Sequence, residues 1–455
     1  MTRFQEFRQT LSLALPVAAS HVSDMLTLAA DSIMVGTLGA TQLAAVTLAG
    51  SSSMIVMLFG IGFSVALTPA LASAWARGDS ATAAGVARTG TRISLLVASI
   101  LVLLLLAISP FLSVLGAPAD VTELAIPYFR WLVVSFLFRL GFGAFKQTTE
   151  AMGNTRLPML IALAANVINV FFNWLFIWGH WGMPEMGAEG AGFATFLSRV
   201  ASVGFAWWAW KRLDYFNPLR LHRKMVASAA QRWHLWTSGA SIGLQITLEV
   251  LAFAAGAIMI GWMGTIPLAA HQVAINLASI TFMIALGLSS AATIRIASAH
   301  GRKDLAGLKR AASTAITMVL TYEVLTLVGF VVLRNWLPTL YVSDLGVIDL
   351  ASQLLLFAAA FQLFDGMQTV GMGLLRGIND TRVPTIISFA SYTLIAMPVG
   401  FLCAFTWNMG APGVWVGYLA GLVIASAGYF LRFQMHIKKG AGISQPLREF
   451  ESKED

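Results

Sequence analysis

Four polar stripes run through otherwise apolar segments of this chain and carry the groups that could do chemistry. Asp24 and Asp31 stand seven residues apart, with His21 three before Asp24. That spacing sets them on one face of a helix. Asn166, Asn169 and Asn173 form a second stripe, Ser241, Gln245 and Glu249 a third, and Gln362, Asp365 and Thr369 a fourth. A carboxylate at the centre of a membrane helix costs about 2.5–3.5 kcal/mol on insertion scales, so it is kept where it faces a cavity, a partner or an ion. Amides beside it can hydrogen-bond the acid or ligate a cation through oxygen. The chemistry such groups support is exchange: a proton or a sodium ion traded for a cationic solute. One charge crossing 100 mV supplies about 2.3 kcal/mol for that work. The competing readings are interhelical glue for the asparagines and a static buried pair for the acids. Glu323, next to Tyr322, reads as a residue that hydrogen-bonds a neighbour. Lys146 and Glu150, one helical turn apart, read as an ordinary pair at the membrane surface.

These stripes must be positioned by membrane helices. The chain has 455 residues, 57% hydrophobic and 11% charged, against about 25% charged in soluble domains. A soluble protein of this length would lack the polar coat for its cores. Twelve segments are long and apolar enough to cross a bilayer: about 11–38, 46–76, 90–116, 124–152, 158–181, 187–211, 237–263, 267–299, 308–334, 350–377, 384–408 and 410–436. Lys and Arg gather on alternate connections (Arg77, Arg88, Arg92; Arg156; Lys211 to Arg232; Arg302 to Arg310; Arg376, Arg382) and at both ends, where Arg3, Arg8, Lys438, Lys439 and Arg448 lie. The positive-inside rule then predicts an inner-membrane protein with both termini in the cytoplasm. The net charge of +8 sits in short clusters, not along one basic face, which argues against nucleic acid. The first apolar segment runs on through His21 and Asp24, so it is expected to be a retained helix and not a cleaved leader. The single cysteine, Cys403, can form no intrachain disulfide.

The segments repeat. "MVGTLGATQLAAV" from Met34 faces "MIGWMGTIPLAAH" from Met259, and "ASAWARGD" faces "ASAHGRKD" at the same offset. "EAMGNTRLP" faces "RGINDTRVP", and "MGAEGAG" faces "MGAPGVW". Six segments is an even number, so the halves enter from the same side and form a parallel repeat, with a binding cavity expected at their interface. The expected organisation is an N-terminal lobe over 1–213, a linker over 214–236, a C-terminal lobe over 237–440 and a tail over 441–455. The repeat sets Asp24 opposite Glu249 and Arg139 opposite Asp365, which suggests an Arg139–Asp24 bridge. Pro16, Pro69, Pro127 and Pro398 lie within spans and are expected to bend them, Pro16 serving as a hinge. No GxxxxGK[ST] loop, HExxH motif or Cys/His cluster is present, which leaves no ATP motor, zinc centre, other metal site or cofactor to propose, apart from monovalent sodium at Glu249 and Asp365. A membrane-embedded enzyme would need a nucleophile with a base, and the sequence offers none.

With "LALP", "ADSIMVGTLG" and "AMGNTRLP" in the first half and "FQLFDGMQTVGMGLLRGINDTRVP" in the second, the chain resembles the multidrug and toxic compound extrusion (MATE) family, NorM-like branch, over essentially its whole length. The resemblance implies an all-α fold of twelve transmembrane helices in two six-helix lobes opening outward as a V. It implies sodium- or proton-coupled export of amphipathic, often cationic, drugs by alternating access, from a chain expected to work as a monomer. The family's first-helix Asp falls on Asp31, its paired asparagines on Asn169 and Asn173, and its helix 7 and helix 10 acids on Glu249 and Asp365. Asp24, Arg139, Gln245, Gln362 and Thr369 are candidates beside them. The alternative is a lipid-precursor or metabolite flippase of the same superfamily. It would want a cationic central cavity, whereas the mid-span charges here are mostly acidic.

Overall fold

The computed structural model describes residues 3–439. The expected tail at 441–455, with Arg448, lies outside the described residues. Twelve long helices account for most of the chain. They are α1 (Arg3–Gly36), α2 (Ala40–Ala76), α3 (Ser80–Ile108), α4 (Ala119–Ala151), α5 (Arg156–Ile177) and α6 (Gly187–Arg212). The second half supplies α7 (Ala229–Gly261), α8 (Thr265–Gly301), α9 (Leu305–Leu333), α10 (Leu345–Gly377), α11 (Arg382–Thr406) and α12 (Ala411–Lys439). There is no strand among the described residues. In hydrocarbon every backbone group must be satisfied within its own segment, and a helix does this. Eleven of these helices are long and apolar enough to span a bilayer. The remaining one, α6, is diluted by glycines and by Glu189, Arg199, Lys211 and Arg212.

The repeat is written into the backbone. Gly39 and Gly264 precede α2 and α8 with φ of 122° and 120°, a conformation open only to a residue without Cβ. Left-handed residues recur in pairs, Gly78 with Lys303, Gly153 with Asn379 and Gly187 with Gly410. Asp79 caps α3 by accepting from Thr82 N at 2.9 Å, and Asp304 caps α9 by accepting from Gly307 N at 2.7 Å. Neighbours correspond as well: α4 packs on α2 and α6, and α10 on α8 and α12. The halves diverge in their fifth helices. α5 is regular, whereas α11 widens into π turns at Ala390–Ala396 and Leu402–Thr406, on either side of Pro398. Pro69 follows a break in α2 at Ala66, while Pro16 and Pro127 sit inside unbroken helices.

The chain packs as two units, and their borders fall inside helices. Ala19–Gly243 form one unit; residues up to Ala18 join those from Leu244 onward in the other. The lobes read from the sequence began at residue 1 and at residue 237, so the first halves of α1 and α7 each pack with the other repeat's helices. Close backbone approach explains this. A Cβ on Gly62 of α2 would lie 2.2 Å from Gly243 N and 2.7 Å from Gly239 O, both of α7. At the repeat-equivalent Gly287 of α8, a Cβ would lie 2.6 Å from Ala14 O and 2.8 Å from Ala18 Cβ of α1. Small residues on both sides let helices meet without a side-chain layer. The second contact is reinforced by charge: Glu6 of α1 is ion-paired with Arg295 of α8 and accepts from Arg310 Nε of α9 at 3.3 Å. Apolar cores fill each unit, around Leu105, Phe129 and Phe136 in the first, and around Leu354, Trp415 and Ile260 or Ala14, Leu374 and Tyr429 in the second.

Candidate functional site

Asp31 lies on the second half of α1, 2% exposed, facing α5 and α6. Asn169 and Asn173, one turn apart on α5, are fully buried beside it. Asn173 Nδ2 donates to Asp31 Oδ1 at 2.6 Å and to Asn169 Oδ1 at 3.3 Å. Thr195 of α6 donates to Asp31 Oδ2 at 2.9 Å and accepts from Asn169 Nδ2 at 3.3 Å. The carboxylate is thus held by neutral groups alone. Arg199, one turn beyond Thr195, exerts its field on Asp31 but bonds Ser135 Oγ and stacks 5.6 Å from the Phe136 ring. Asn173 Oδ1 has no partner among the described residues. The third member of the stripe, Asn166, serves as glue: it donates to Ser23 O at 3.2 Å and joins α5 to α1. Thr195 was missed in the sequence. A threonine in a membrane helix usually bonds its own turn, as Thr148 does to Ala144 O at 2.8 Å, and nothing in its spacing marked it as different.

Asp24, two turns earlier on α1, takes a different partner. Arg139 of α4 donates to it through both terminal nitrogens, NH1 to Oδ1 at 3.2 Å and NH2 to Oδ2 at 3.4 Å. The two side chains are 43% and 30% exposed, so protein covers the pair only in part. His21 and Lys146 lie within its electrostatic reach. The Lys146–Glu150 pair is not a surface pair: the side chains are 11% and 1% exposed, 4.0 Å apart. Helical spacing placed them together correctly but could not show that neighbouring helices cover them.

In the second unit, Asp365 of α10 is 5% exposed, and Glu249 of α7 and Glu323 of α9 are the charges that reach it. Glu249 Oε1 accepts from Gln368 Nε2 at 3.1 Å. Asp365 Oδ1, Gln368 Oε1 and Thr369 Oγ1 are buried without partners among the described residues, clustered on one stripe of α10. Buried polar groups left unpaired cost about 1–3 kcal/mol each, so this stripe is suited to water or a cation. Two sequence candidates turn elsewhere. Gln245 accepts from Arg376 at 2.9 Å and donates to Ser388 and Tyr429 at 3.1 and 3.2 Å. Gln362 donates to Thr281. Glu323 does not bond Tyr322, whose hydroxyl goes to Thr281 O; it accepts from Thr326 at 2.9 Å. Its carboxylate lies where a Cβ on Gly366 would meet it at 2.3 Å, beside Asp365, so it belongs to the acidic group. Among the described residues, no three His, Cys, Asp or Glu side chains are grouped as a multidentate metal centre requires.

Two six-helix repeats, each holding acids inside a helical membrane-spanning framework, define a polytopic protein with paired internal acidic sites. The MatE family model matches residues 16–175 and 241–402, one stretch in each half, and the chain belongs to that family. It is 31% identical over 448 residues to the probable multidrug resistance protein NorM of Agrobacterium fabrum (strain C58), covering 96% of this chain and 95% of that protein. It is 31% identical over 443 residues to the multidrug resistance protein MdtK of Photorhabdus laumondii, covering 94% and 95%. Its fold matches that of the Vibrio cholerae MATE transporter VcmN in its bent form with a TM-score of 0.86 at 20% identity, over 97% of this chain and 99% of that one.

Proposed function

We propose that this chain is a secondary exporter that releases amphipathic, often cationic, drugs and toxic organic compounds from the cytoplasm in exchange for inward sodium ions or protons. It would lie in the inner membrane with both termini cytoplasmic. The observation that carries the reading is that Asp31 and Asp365 are buried carboxylates with no ion-pair partner among the described residues. A buried charge without a partner is too costly to hold statically. Taking up and releasing a cation or a proton removes that cost in one state of a cycle and restores it in another. Asp31, Asn169, Asn173 and Thr195 would form one coupling site, all oxygen and amide donors. Glu249 and Asp365, with Glu323, Gln368 and Thr369, would form the second. The names of the curated relatives support the drug cargo, and an acid is the charge that complements an organic cation.

The test uses purified protein in liposomes loaded with ethidium, under a sodium gradient in one arm and a proton gradient in the other. The wild type should drive efflux in at least one arm. Asp31→Asn preserves shape, keeps one acceptor and can turn the other bond into a donation to Thr195 Oγ1, so it should fold with little change in melting yet lose gradient-driven efflux. Full efflux by that variant would remove Asp31 from the mechanism.

A further inference from the structure

A cavity of about 990 Å³ shares no residue with either acidic site. It opens at the basic ends of α3, α4 and α6 and is closed by the short helix Asn217–Leu221 of the connection between the halves. Arg88 and Arg92 of α3, Lys211 of α6 and Arg223 of the connection line it, with Phe142 and Trp207 on the remaining wall. Arg88 and Arg92 are one turn apart on the same helix face, where like charges repel. Among the described residues none of these four cations is in an ion pair, and no Asp or Glu lines the cavity. Arg220, also in the wall, is already committed: it donates to Trp210 O at 3.0 Å and Leu213 O at 3.1 Å and so closes the carbonyl end of α6.

We propose that this cavity binds the phosphate headgroup of an anionic phospholipid from the leaflet on the basic side of the membrane. Charge complementarity selects an anion, and a cationic drug is disfavoured there. Three features select a lipid over a free phosphate. Trp207 is 63% exposed with the Lys211 ammonium 5.1 Å from its ring, as an interfacial anchor would be. Leu221, on the cavity rim, is 82% exposed, and Met225 and Val226 follow it uncovered. An apolar rim around a basic pocket at helix ends fits a headgroup with its chains alongside. A phosphate there bridges α3, α6 and the connection. It adds to the bond from Ala227 N to Thr89 Oγ1, 3.1 Å, that ties the connection to α3.

The experiment is a thermal-melting titration of the full chain in neutral detergent, read separately from any transport assay. Phosphatidylglycerol should raise the melting temperature of the wild type; phosphatidylcholine and inorganic phosphate should not. The shift should be lost in Arg88→Gln/Arg92→Gln and kept in Lys303→Gln/Lys309→Gln, which removes basic residues outside the cavity. Arg223→Gln, on the exposed connection, gives the same reading if the double variant fails to fold. An undiminished shift in either cavity variant, an equal loss in the control, or an equal shift from phosphate alone or from phosphatidylcholine would overturn the proposal.

Discussion

At two repeat-equivalent positions the halves of the molecule carry different charge. In the first unit Asp24 on α1 meets Arg139 on α4 in a two-pronged ion pair. In the second, Glu249 on α7 and Asp365 on α10 hold the corresponding places, and both are acids. The scaffold around them is the same, down to the left-handed glycines and the capping aspartates. One half therefore carries its counter-cation on the chain, while in the other neither acid is in an ion pair among the described residues. The first half has its uncompensated acid elsewhere, at Asp31, which lacks a carboxylate counterpart in the repeat (the equivalent position is Gly256). An internal duplication thus keeps its backbone while changing which polar positions carry an acid without an ion-pair partner.

The comparison breaks most sharply at the acids themselves. Asp365→Asn should stop gradient-driven efflux, because it neutralises the acid whose Oδ1 has no partner among the described residues. Asp24→Asn, which keeps a hydrogen bond to Arg139, should only slow efflux. Equal loss in vesicle assays of both variants would mean that a counter-ion makes no difference to an acid's role. Arg139→Gln is next in size. The informative effect is on ion response: with Asp24 left alone, the melting temperature of Arg139→Gln should rise with sodium or with acid. Asp24→Asn/Arg139→Gln should not show this response, and a flat response in the single variant would undo the idea that Arg139 stands in for a solution cation. A smaller effect is expected from Glu323→Gln. The amide can still accept from Thr326, so folding should persist, and weaker apparent affinity for the coupling ion should be the main change in a concentration series. An unchanged affinity would return Glu323 to a purely packing role.

The sequence revealed the helices and their repeat because both leave periodic marks, apolar runs of bilayer length and glycines at fixed offsets. It also brought Asp31 to Asn169 and Asn173, since seven- and four-residue spacings choose a helix face. Which neighbour that face meets was less legible. Gln245 and Glu249 share a stripe on α7, yet one joins Arg376 and the other Gln368, two turns apart on α10. Thr195 and Gln368 escaped notice, and Glu323 read only as bonding a neighbour, because their placement depends on helix rotation, which local pattern does not encode. The exchanged first halves of α1 and α7 were hidden for a related reason. They follow from Gly62 and Gly287 admitting a second backbone, and small residues in membrane helices are too common to single out such sites.

The smallest expected effect gives the cleanest check on scaffold equivalence. Asp79→Ala and Asp304→Ala each remove one side-chain acceptor from the first turn of a helix, a loss of about 1 kcal/mol. Partial burial pulls the Asp79 carboxyl upward, but hydrogen bonds from Thr82 outweigh it and hold it below the ordinary aspartate range. A depressed folded-state pKa means that this contribution is complete at neutral pH and disappears only as pH falls through the folded value. At neutral pH the two variants should therefore lower the melting temperature by similar amounts, and the Asp79→Ala difference should vanish in strong acid. A clearly larger loss at one cap would show that the two halves differ in their framework as well as in their charges, and the contrast between Asp24–Arg139 and Glu249–Asp365 would then have a second cause.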